Sequence, residues 1–173
     1  VSAGNTGAYM ATCLLNLGRL PGVERPPIAT VFPTTTGEVL LLDMGANVDC
    51  RPKHLFQFAH MGSVYAEKVM RVSRPRVGLL NIGKEPEKGN EAVIEARELL
   101  AKSKLNFIGN VESNAIFAGE VDVVVCDGFV GNILLKYSEA VSQTVMHLLK
   151  EELSHNLLSR LGALILRPTF TRL

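Results

Sequence analysis

The stretch "EVLLLD" (residues 38–43), which runs into "MGANVDC" (residues 44–50), decides the fold of this chain. Residues 39–42 are all apolar, so the stretch lacks the alternation of a strand with one face in water. A continuous apolar run of this length is typical of a strand buried on both faces, in a parallel sheet covered by helices. The stretch therefore predicts a central strand that ends in a polar glycine turn.

Shorter β-rich runs and longer helical patterns alternate on both sides of this strand. Further strands are predicted at "IATVF" (28–32) and "RVGLLNIG" (76–83), and a strand that runs into a turn is predicted in "LNFIGNV" (105–111) and in "VDVVVCDGFVGN" (121–132). Helices are predicted for residues 51–70, where Pro52 is placed to start one, and for residues 88–103 and 133–153. This alternation predicts a single α/β domain over residues 1–173 with a mostly parallel sheet.

The composition bounds the class of protein. The chain has 173 residues, 47% of them hydrophobic, which is enough for one hydrophobic core. Its formal net charge is +1, so the overall charge gives no reason to expect nucleic-acid binding. The three cysteines, Cys13, Cys50 and Cys126, lie far apart without metal-ligand spacing, as expected of reduced thiols in a cytosolic protein. The sequence begins inside a turn motif, so we expect it to be a piece of a longer chain.

Small polar turns follow most of the predicted strands. They are "SAGNTG" (2–7), "DMGAN" (43–47), "NIG" (81–83), "IGN" (108–110) and "CDGFVGN" (126–132). In an open parallel sheet such turns lie at the carboxyl edge, where α/β proteins bind ligands. The first turn also leads into a helix, whose initial N–H groups favour an anion. We therefore predict one crevice, lined by backbone amides, asparagines and two aspartates.

Familiar catalytic motifs are absent from the sequence, and no metal ligand set or cofactor is expected. The histidines are interpreted as surface or core residues (His54, His60, His147 and His155). Cys126 is a candidate nucleophile, but a small buried side chain is the favoured interpretation. Asp43 and Asp127 are either a catalytic or metal-binding pair or caps of the turns that follow them. Such a site suits an ionised nucleophile and a good leaving group.

Seven motifs carry a family resemblance: "VSAGNTGA", "LLDMGANVDC", "QFAHMGSVYAEKV", "PRVGLLNIG", "KGNE", "NFIGNVE" and "VVVCDGFVGNILLK". Their order between Val1 and Lys136 resembles that of bacterial phosphate acyltransferase, the PlsX family. The resemblance implies an enzyme that makes acyl phosphate from acyl-[acyl carrier protein] and inorganic phosphate in glycerophospholipid synthesis. It also implies a three-layer α/β/α fold like that of isocitrate and isopropylmalate dehydrogenases, and a cytoplasmic homodimer peripherally associated with the membrane. Its product would pass to a glycerol-3-phosphate acyltransferase. The family's early "DAMGG"-like loop and later glycine-rich segment are not in this sequence.

The site residues expected on this basis fall into two groups. Four are predicted to be catalytic: Asn5, Asp127, Asn132 and Lys136. The others are predicted to bind substrate: Ser2, Gly4, Thr6, Gly7, Asp43, Asn47, Asn81, Asn110 and Gly128. Lys136 is equally well interpreted as a solvated helix lysine. Two rival functions remain: a phosphate acetyltransferase-like enzyme that uses coenzyme A thioesters, and a membrane-associated scaffold without catalysis.

Two features lie outside the predicted crevice. Arg71, Arg74 and Arg76 lie close together in "RVSRPR", and Arg51 and Lys53 stand at an earlier helix start. They form either a docking patch for the acidic carrier protein or an ordinary charged face. Residues 153–173 form a basic amphipathic tail, with an apolar stripe that includes Leu157, Leu161, Leu164 and Ile165. From the sequence this tail suits a membrane interface or a dimer or core contact equally, and the resemblance favours the membrane.

Overall fold

A computed structural model describes residues 4–170, apart from the side chains of residues 6, 157, 167, 169 and 170. Its helices are α1 (Thr6–Leu17), α2 (Pro52–Lys68), α3 (Glu91–Ala101), α4 (Ser113–Ala118), α5 (Gly128–Ser154) and α6 (Leu157–Phe170). Its strands are β1 (Ala29–Thr34), β2 (Gly37–Leu42), β3 (Val77–Leu80), β4 (Phe107–Val111) and β5 (Val123–Val125). Two compact units are present, and the boundary between them falls after Ile133, within α5.

The first unit contains a five-stranded sheet in the order β1-β2-β5-β3-β4. Strands β2, β5, β3 and β4 are parallel, while β1 pairs antiparallel with β2. Val39–Leu42 in β2 are all buried, none of them more than 3% exposed. The prediction of an α/β fold with a mostly parallel sheet is therefore confirmed.

One face of the sheet packs against α2 and α3. The core there joins strand residues such as Leu42 and Val123 to Phe58 of α2 and Leu100 of α3. A Cβ atom added to Gly62 of α2 would lie 2.6 Å from Val123 Cγ1 and 2.7 Å from Leu42 Cδ1, so this helix position requires glycine for close packing.

The buried positions of α2 follow helical spacing. The buried residues are His54, Leu55, Phe58, Ala59, Gly62, Ser63 and Ala66. Val64, although apolar, is 57% exposed. Three- and four-residue steps from Leu55 and Ala59 reach Gly62 and Ser63, and Val64 falls beside that stripe.

Two boundaries differ from those predicted, and one helix is additional. Helix α5 begins at Gly128 rather than near Ile133, because the Asp127 carboxylate caps it: Val130 N–H donates to Asp127 Oδ1 at 2.8 Å. The "IGN" segment lies inside β4, not after it, and Asn110 pairs with Leu79 of β3 beside an irregularity in register. The short helix α4 was not predicted.

The second unit consists of the remainder of α5 and α6. The two helices enclose an apolar groove of about 790 Å³, whose lining includes Met146, Leu149, Leu153 and Leu164. Within residues 4–170, no helix is both long and apolar enough to cross a membrane.

Candidate active site

The buried Asp43 carboxylate organises the turn after β2. Its side chain is 0% exposed. Oδ1 accepts hydrogen bonds from the backbone N–H groups of Ile28 (2.8 Å) and Ala46 (3.0 Å). Oδ2 accepts from Asn47 twice, from its backbone N at 2.7 Å and from Nδ2 at 2.8 Å. Asp43 therefore holds the turn in shape, as in the capping interpretation, and its oxygens are engaged by protein donors.

Glycines let the start of α5 pack directly on this turn. Gly128 N–H donates to Asn47 O at 2.8 Å, and a Cβ at Gly128 would lie 2.7 Å from Asn47 N. A Cβ at Gly131 would collide with the carbonyl oxygen of Asp43. Farther along α5, Asn132 Oδ1 would lie 3.3 Å from a Cβ at Gly45. The ends of β2 and β5 thus bring Asp43, Asn47, Asp127, Gly128 and Asn132 together.

A polar cleft of about 170 Å³ opens beside this cluster. Its lining includes Asp49, Cys50, Asn90, Ala92 and Asp127. Asn90 caps α3, because its Oδ1 accepts from Val93 N–H at 3.0 Å, and the first turn of α3 contributes Ala92 to the cleft. Val93 and Ile94 N–H also donate to Asn90 O, each at 3.0 Å, so in this first turn the N–H groups of Glu91 and Ala92 are the ones left to favour an anion.

Asn90 lies in the motif "KGNE" (88–91) but is not among the site residues predicted from the sequence. The available signal was an asparagine directly before a helical pattern, which predicts an N-cap. Nothing in the sequence places that cap beside Asp127, because the two residues come from different strand–helix connections.

Asn81 and Asn110 lie on either side of one loop rather than in the cleft lining. Asn81 Nδ2 donates to Lys88 O at 2.7 Å, and Asn110 Nδ2 donates to Glu85 O at 2.8 Å. Their amide groups therefore hold the loop that leads to Asn90. Asn110 is only 5% exposed.

The first glycine turn leads into helix α1, as its sequence predicts. Asn5 is the N-cap of α1, and its Oδ1 accepts from Ala8 N–H at 3.2 Å. Gly4 and Gly7 are exposed. Ser2 and the Thr6 side chain lie outside the part that the structure describes. The convergence of this turn with the turns of β2 and β5 stays a prediction.

Lys136 belongs to the second unit. Its Nζ lies 2.9 Å from Glu139 Oε2, and the lysine side chain is 66% exposed. This is the geometry of an exposed helical ion pair, which agrees with the interpretation as a solvated lysine.

The two cysteines near the site are poor nucleophiles. Burial, and then the charges of Asp43 and Asp127, raise the pKa of Cys50 to about 11. Burial also raises the pKa of Cys126, whose Sγ lies 3.6 Å from the carbonyl oxygen of Asp43. Both thiols stay protonated near neutral pH, so Cys126 is best described as a small buried side chain.

The arginines of "RVSRPR" lie at the opposite edge of the sheet from the cleft. Residues 71–76 precede β3, at its amino end, whereas the cleft lies beyond the carboxyl ends of β2 and β5. Arg71 and Arg74 are exposed, but Arg76 is paired with Asp122: Nε donates to Oδ2 at 2.9 Å and Nη2 to Oδ1 at 2.8 Å. Arg76 is therefore engaged within the fold.

His54 is a buried histidine with partners on both ring nitrogens. Its Nδ1 accepts from Arg51 N–H at 3.1 Å, and Nε2 lies 3.1 Å from Glu24 Oε2. Burial lowers the pKa of His54 despite the neighbouring Glu24. The interpretation as a core histidine holds, and the side chain ties the start of α2 to the segment before β1.

Comparison with known proteins gives the family. The whole chain, residues 1–173, matches the family described as "Fatty acid synthesis protein". The chain belongs to this family. The phosphate acyltransferase of Heliobacterium modesticaldum is 55% identical over 168 residues, which is 97% of this chain and 50% of that protein. The phosphate acyltransferase of Nostoc punctiforme is 54% identical over 174 residues, which is 99% of this chain and 51% of that protein. The family resemblance read from the motifs is confirmed, and the chain spans about half the length of these curated relatives.

Two solved structures share the fold at low sequence identity. A EutD phosphotransacetylase from Staphylococcus aureus aligns with a TM-score of 0.62 and 17% identity, over 82% of this chain and 49% of that one. A branched-chain phosphotransacylase from Enterococcus faecalis aligns with a TM-score of 0.55 and 16% identity, over 78% of this chain and 55% of that one. These similarities support the α/β architecture.

Proposed function

We propose that this chain is part of an enzyme that transfers an acyl group from acyl-[acyl carrier protein] to inorganic phosphate, which yields acyl phosphate for glycerophospholipid synthesis. The observation that carries the proposal is the polar cleft at the carboxyl edge, where Asp127 and the first turn of α3 face one another. The phosphate acyltransferase relatives, at 54–55% identity, support the same reaction class.

The chemistry needs little from the protein beyond positioning and charge stabilisation. An oxygen of the phosphate dianion attacks the carbonyl carbon of the thioester, and the C–S bond then breaks. The thiolate leaves as thiol after taking up the proton that the phosphate carried, so the reaction balances without a cofactor. Thiols ionise near pH ~8.5, so the leaving group needs only weak acid assistance. Hydrogen-bond donors at the carbonyl oxygen contribute on the order of 3 kcal/mol each to the transition state.

We assign roles from these demands. The first turn of α3 and the turn at Gly4–Gly7, with Ser2, Asn5 and Thr6, bind phosphate or the thioester carbonyl. Asp127 holds the phosphate proton and passes it to the leaving thiolate. Asn132 donates to the reacting oxygens. The remaining predicted residues of the first unit position these groups: Asp43, Asn47 and Gly128 shape the β2 turn, and Asn81 and Asn110 hold the loop before Asn90.

Kinetics of the complete protein test this assignment. Asn5→Ala and Asn132→Ala should each lower kcat/KM for phosphate-dependent acyl transfer by ~100-fold, the effect of losing one positioned donor. Asn16→Ala is a matched control on α1, where Asn16 Nδ2 bonds only within its helix, to Thr12 O. Wild-type rates in both Asn5→Ala and Asn132→Ala would show that these asparagines do not form the site. A comparison of carrier-protein and coenzyme A thioesters distinguishes the proposed enzyme from the coenzyme A-dependent rival.

We further propose that the acidic carrier docks on basic residues at the carboxyl edge, Arg51 and Lys53, in preference to Arg71 and Arg74. Both pairs are exposed, although Lys53 Nζ is also paired with Glu24 Oε1 at 2.6 Å, and only Arg51 and Lys53 lie at the edge that holds the cleft. Arg51→Glu should raise KM for the carrier-linked donor and leave KM for phosphate unchanged, whereas Arg74→Glu should change neither. If Arg74→Glu raised KM for the carrier-linked donor and Arg51→Glu did not, the docking surface would instead lie at "RVSRPR".

Membrane association, a homodimer, delivery to a glycerol-3-phosphate acyltransferase, and a three-layer fold like that of isocitrate dehydrogenase remain our proposals for the complete protein. The exposed apolar side chains of α6 support the first: Leu161 is 58%, Leu164 65% and Ile165 77% exposed. In liposome flotation, Leu161→Glu should reduce binding relative to His155→Glu, an exposed change outside α6. Equal flotation would favour a protein contact for this helix.

A further inference from the structure

Two apolar clefts flank α1 in the first unit, and neither has a role in the site described above. Each has a volume of about 310 Å³. They share Met10, Leu14, Gly18 and Pro26, so together they form one apolar trough around the helix, which we call the α1 cleft. This volume lies at the lower end of the ~300–1,000 Å³ of small-molecule sites, which are also mostly apolar.

The α1 cleft is joined to the carboxyl edge through Asn47. Asn47 lines the cleft, and its Nδ2 donates both to Pro26 O at 3.0 Å and to Asp43 Oδ2 at 2.8 Å. The other cleft wall is tied to the same aspartate, because Ile28 N–H donates to Asp43 Oδ1 at 2.8 Å. An apolar ligand in the cleft would therefore have one end beside the turn that forms the proposed site.

Two arginines stand at the mouth of the cleft. Arg19 and Arg25 line it and are exposed, and the carboxylate of Glu24, which also lines it, is paired with Lys53 and His54. Their guanidinium groups donate to backbone carbonyls, Arg19 to Glu24 O and Arg25 to Asp49 O, so these bonds leave the positive charge available to an anion. An apolar trough with a cationic mouth suits a ligand that has a hydrocarbon chain and an anionic carrier.

We propose that the α1 cleft binds the hydrocarbon chain of the acyl thioester, with its carbonyl end towards Asn47 and the anionic carrier towards Arg19 and Arg25. The inference rests on the proposed function and adds the residues that determine which acyl-chain lengths the enzyme prefers. Longer chains fill more of the trough, and each buried methylene raises kcat/KM by about fourfold until the trough is full.

The test uses the complete protein and compares palmitoyl with butyryl thioesters. Leu14→Trp fills the trough and should lower the palmitoyl-to-butyryl ratio of kcat/KM by at least about tenfold, roughly the contribution of two methylenes. Leu14→Ala enlarges the trough and should raise that ratio. Ala11→Trp is the matched control on the same helix, since Ala11 is exposed and lines neither cleft, and it should keep the wild-type ratio.

A direct measurement supports the kinetics. An acyl thioester with a diazirine at its chain end should label peptides from residues 9–28 of the wild-type protein on irradiation. Label confined to other segments, or a palmitoyl-to-butyryl ratio unchanged in both Leu14 variants, would overturn the inference. If the wild-type protein forms no acyl phosphate from any donor, the proposed function fails, and the labelling still decides whether the cleft binds the chain.

Discussion

Replacing Asp43 by asparagine tests the packing that holds the site together. The substitution keeps the shape of the side chain but leaves one acceptor oxygen where the carboxylate uses two. Whichever way the amide is oriented, its NH₂ group faces two protein N–H donors, either those of Ile28 and Ala46 or the two of Asn47. Two hydrogen bonds to a charged group contribute ~3–6 kcal/mol, and removing a buried charge recovers part of this, so we expect a net loss of ~3 kcal/mol.

Urea denaturation of the complete protein measures this loss. With a slope of ~2 kcal/mol per molar urea, the midpoint should fall by ~1.5 M. Asp49→Asn is the matched control, because it makes the same chemical change at an exposed aspartate and should leave the midpoint nearly unchanged. A midpoint for Asp43→Asn equal to that of Asp49→Asn would refute the reasoning that the carboxylate organises the β2 turn.

Three further predictions concern stability. Gly128→Ala forces a Cβ to within 2.7 Å of backbone, so in thermal melts it should lower the free energy of unfolding by ~1–3 kcal/mol, and it should also abolish most of the activity. Gly162→Ala, with open space around it, should be neutral or stabilising in the same melts. Burial lowers the pKa of His54, so below pH ~6.5 the unfolded chain binds a proton that the native side chain does not. The free energy of unfolding should therefore fall as the pH decreases. In urea midpoints measured between pH 5 and 7.5, His54→Gln should reduce this dependence on pH. The hydrogen bond from Arg76 lowers the pKa of Asp122, so their pairing stabilises the fold above pH ~4 and loses its effect as the pH falls through the lowered pKa. Arg76→Ala should lower the free energy of unfolding by ~1–2 kcal/mol at pH 7 and by less at pH 3. An equal loss at both pH values would contradict the pairing.

The sequence was sufficient for the elements whose signals are local. The continuous apolar run of β2 and the proline at the start of α2 each depend on residues within one turn or strand. The alternation of strands and helices along the chain then restricts the sheet topology to a few arrangements, and the observed sheet has one of them.

The features that were not predicted depend on distant partners. Gly109 and Asn110 resemble a turn in sequence, but pairing with β3 draws them into a strand, where Gly109 adopts a φ of 99°. Gly128 also resembles a turn residue, and it becomes helical because α5 must approach the β2 turn closely. Arg76 belongs to the predicted docking patch, but its side chain pairs with Asp122, 46 residues along the chain. Such contacts carry no local signature.

The measurement that tests the account most directly is the fate of radiolabelled phosphate supplied to the complete protein with acyl-[acyl carrier protein]. We expect label to enter acyl phosphate in step with thiol release, and we expect no thiol release when phosphate is omitted. Release of thiol without phosphate, or release with phosphate but without label in the acyl product, would contradict a site that holds phosphate against the thioester.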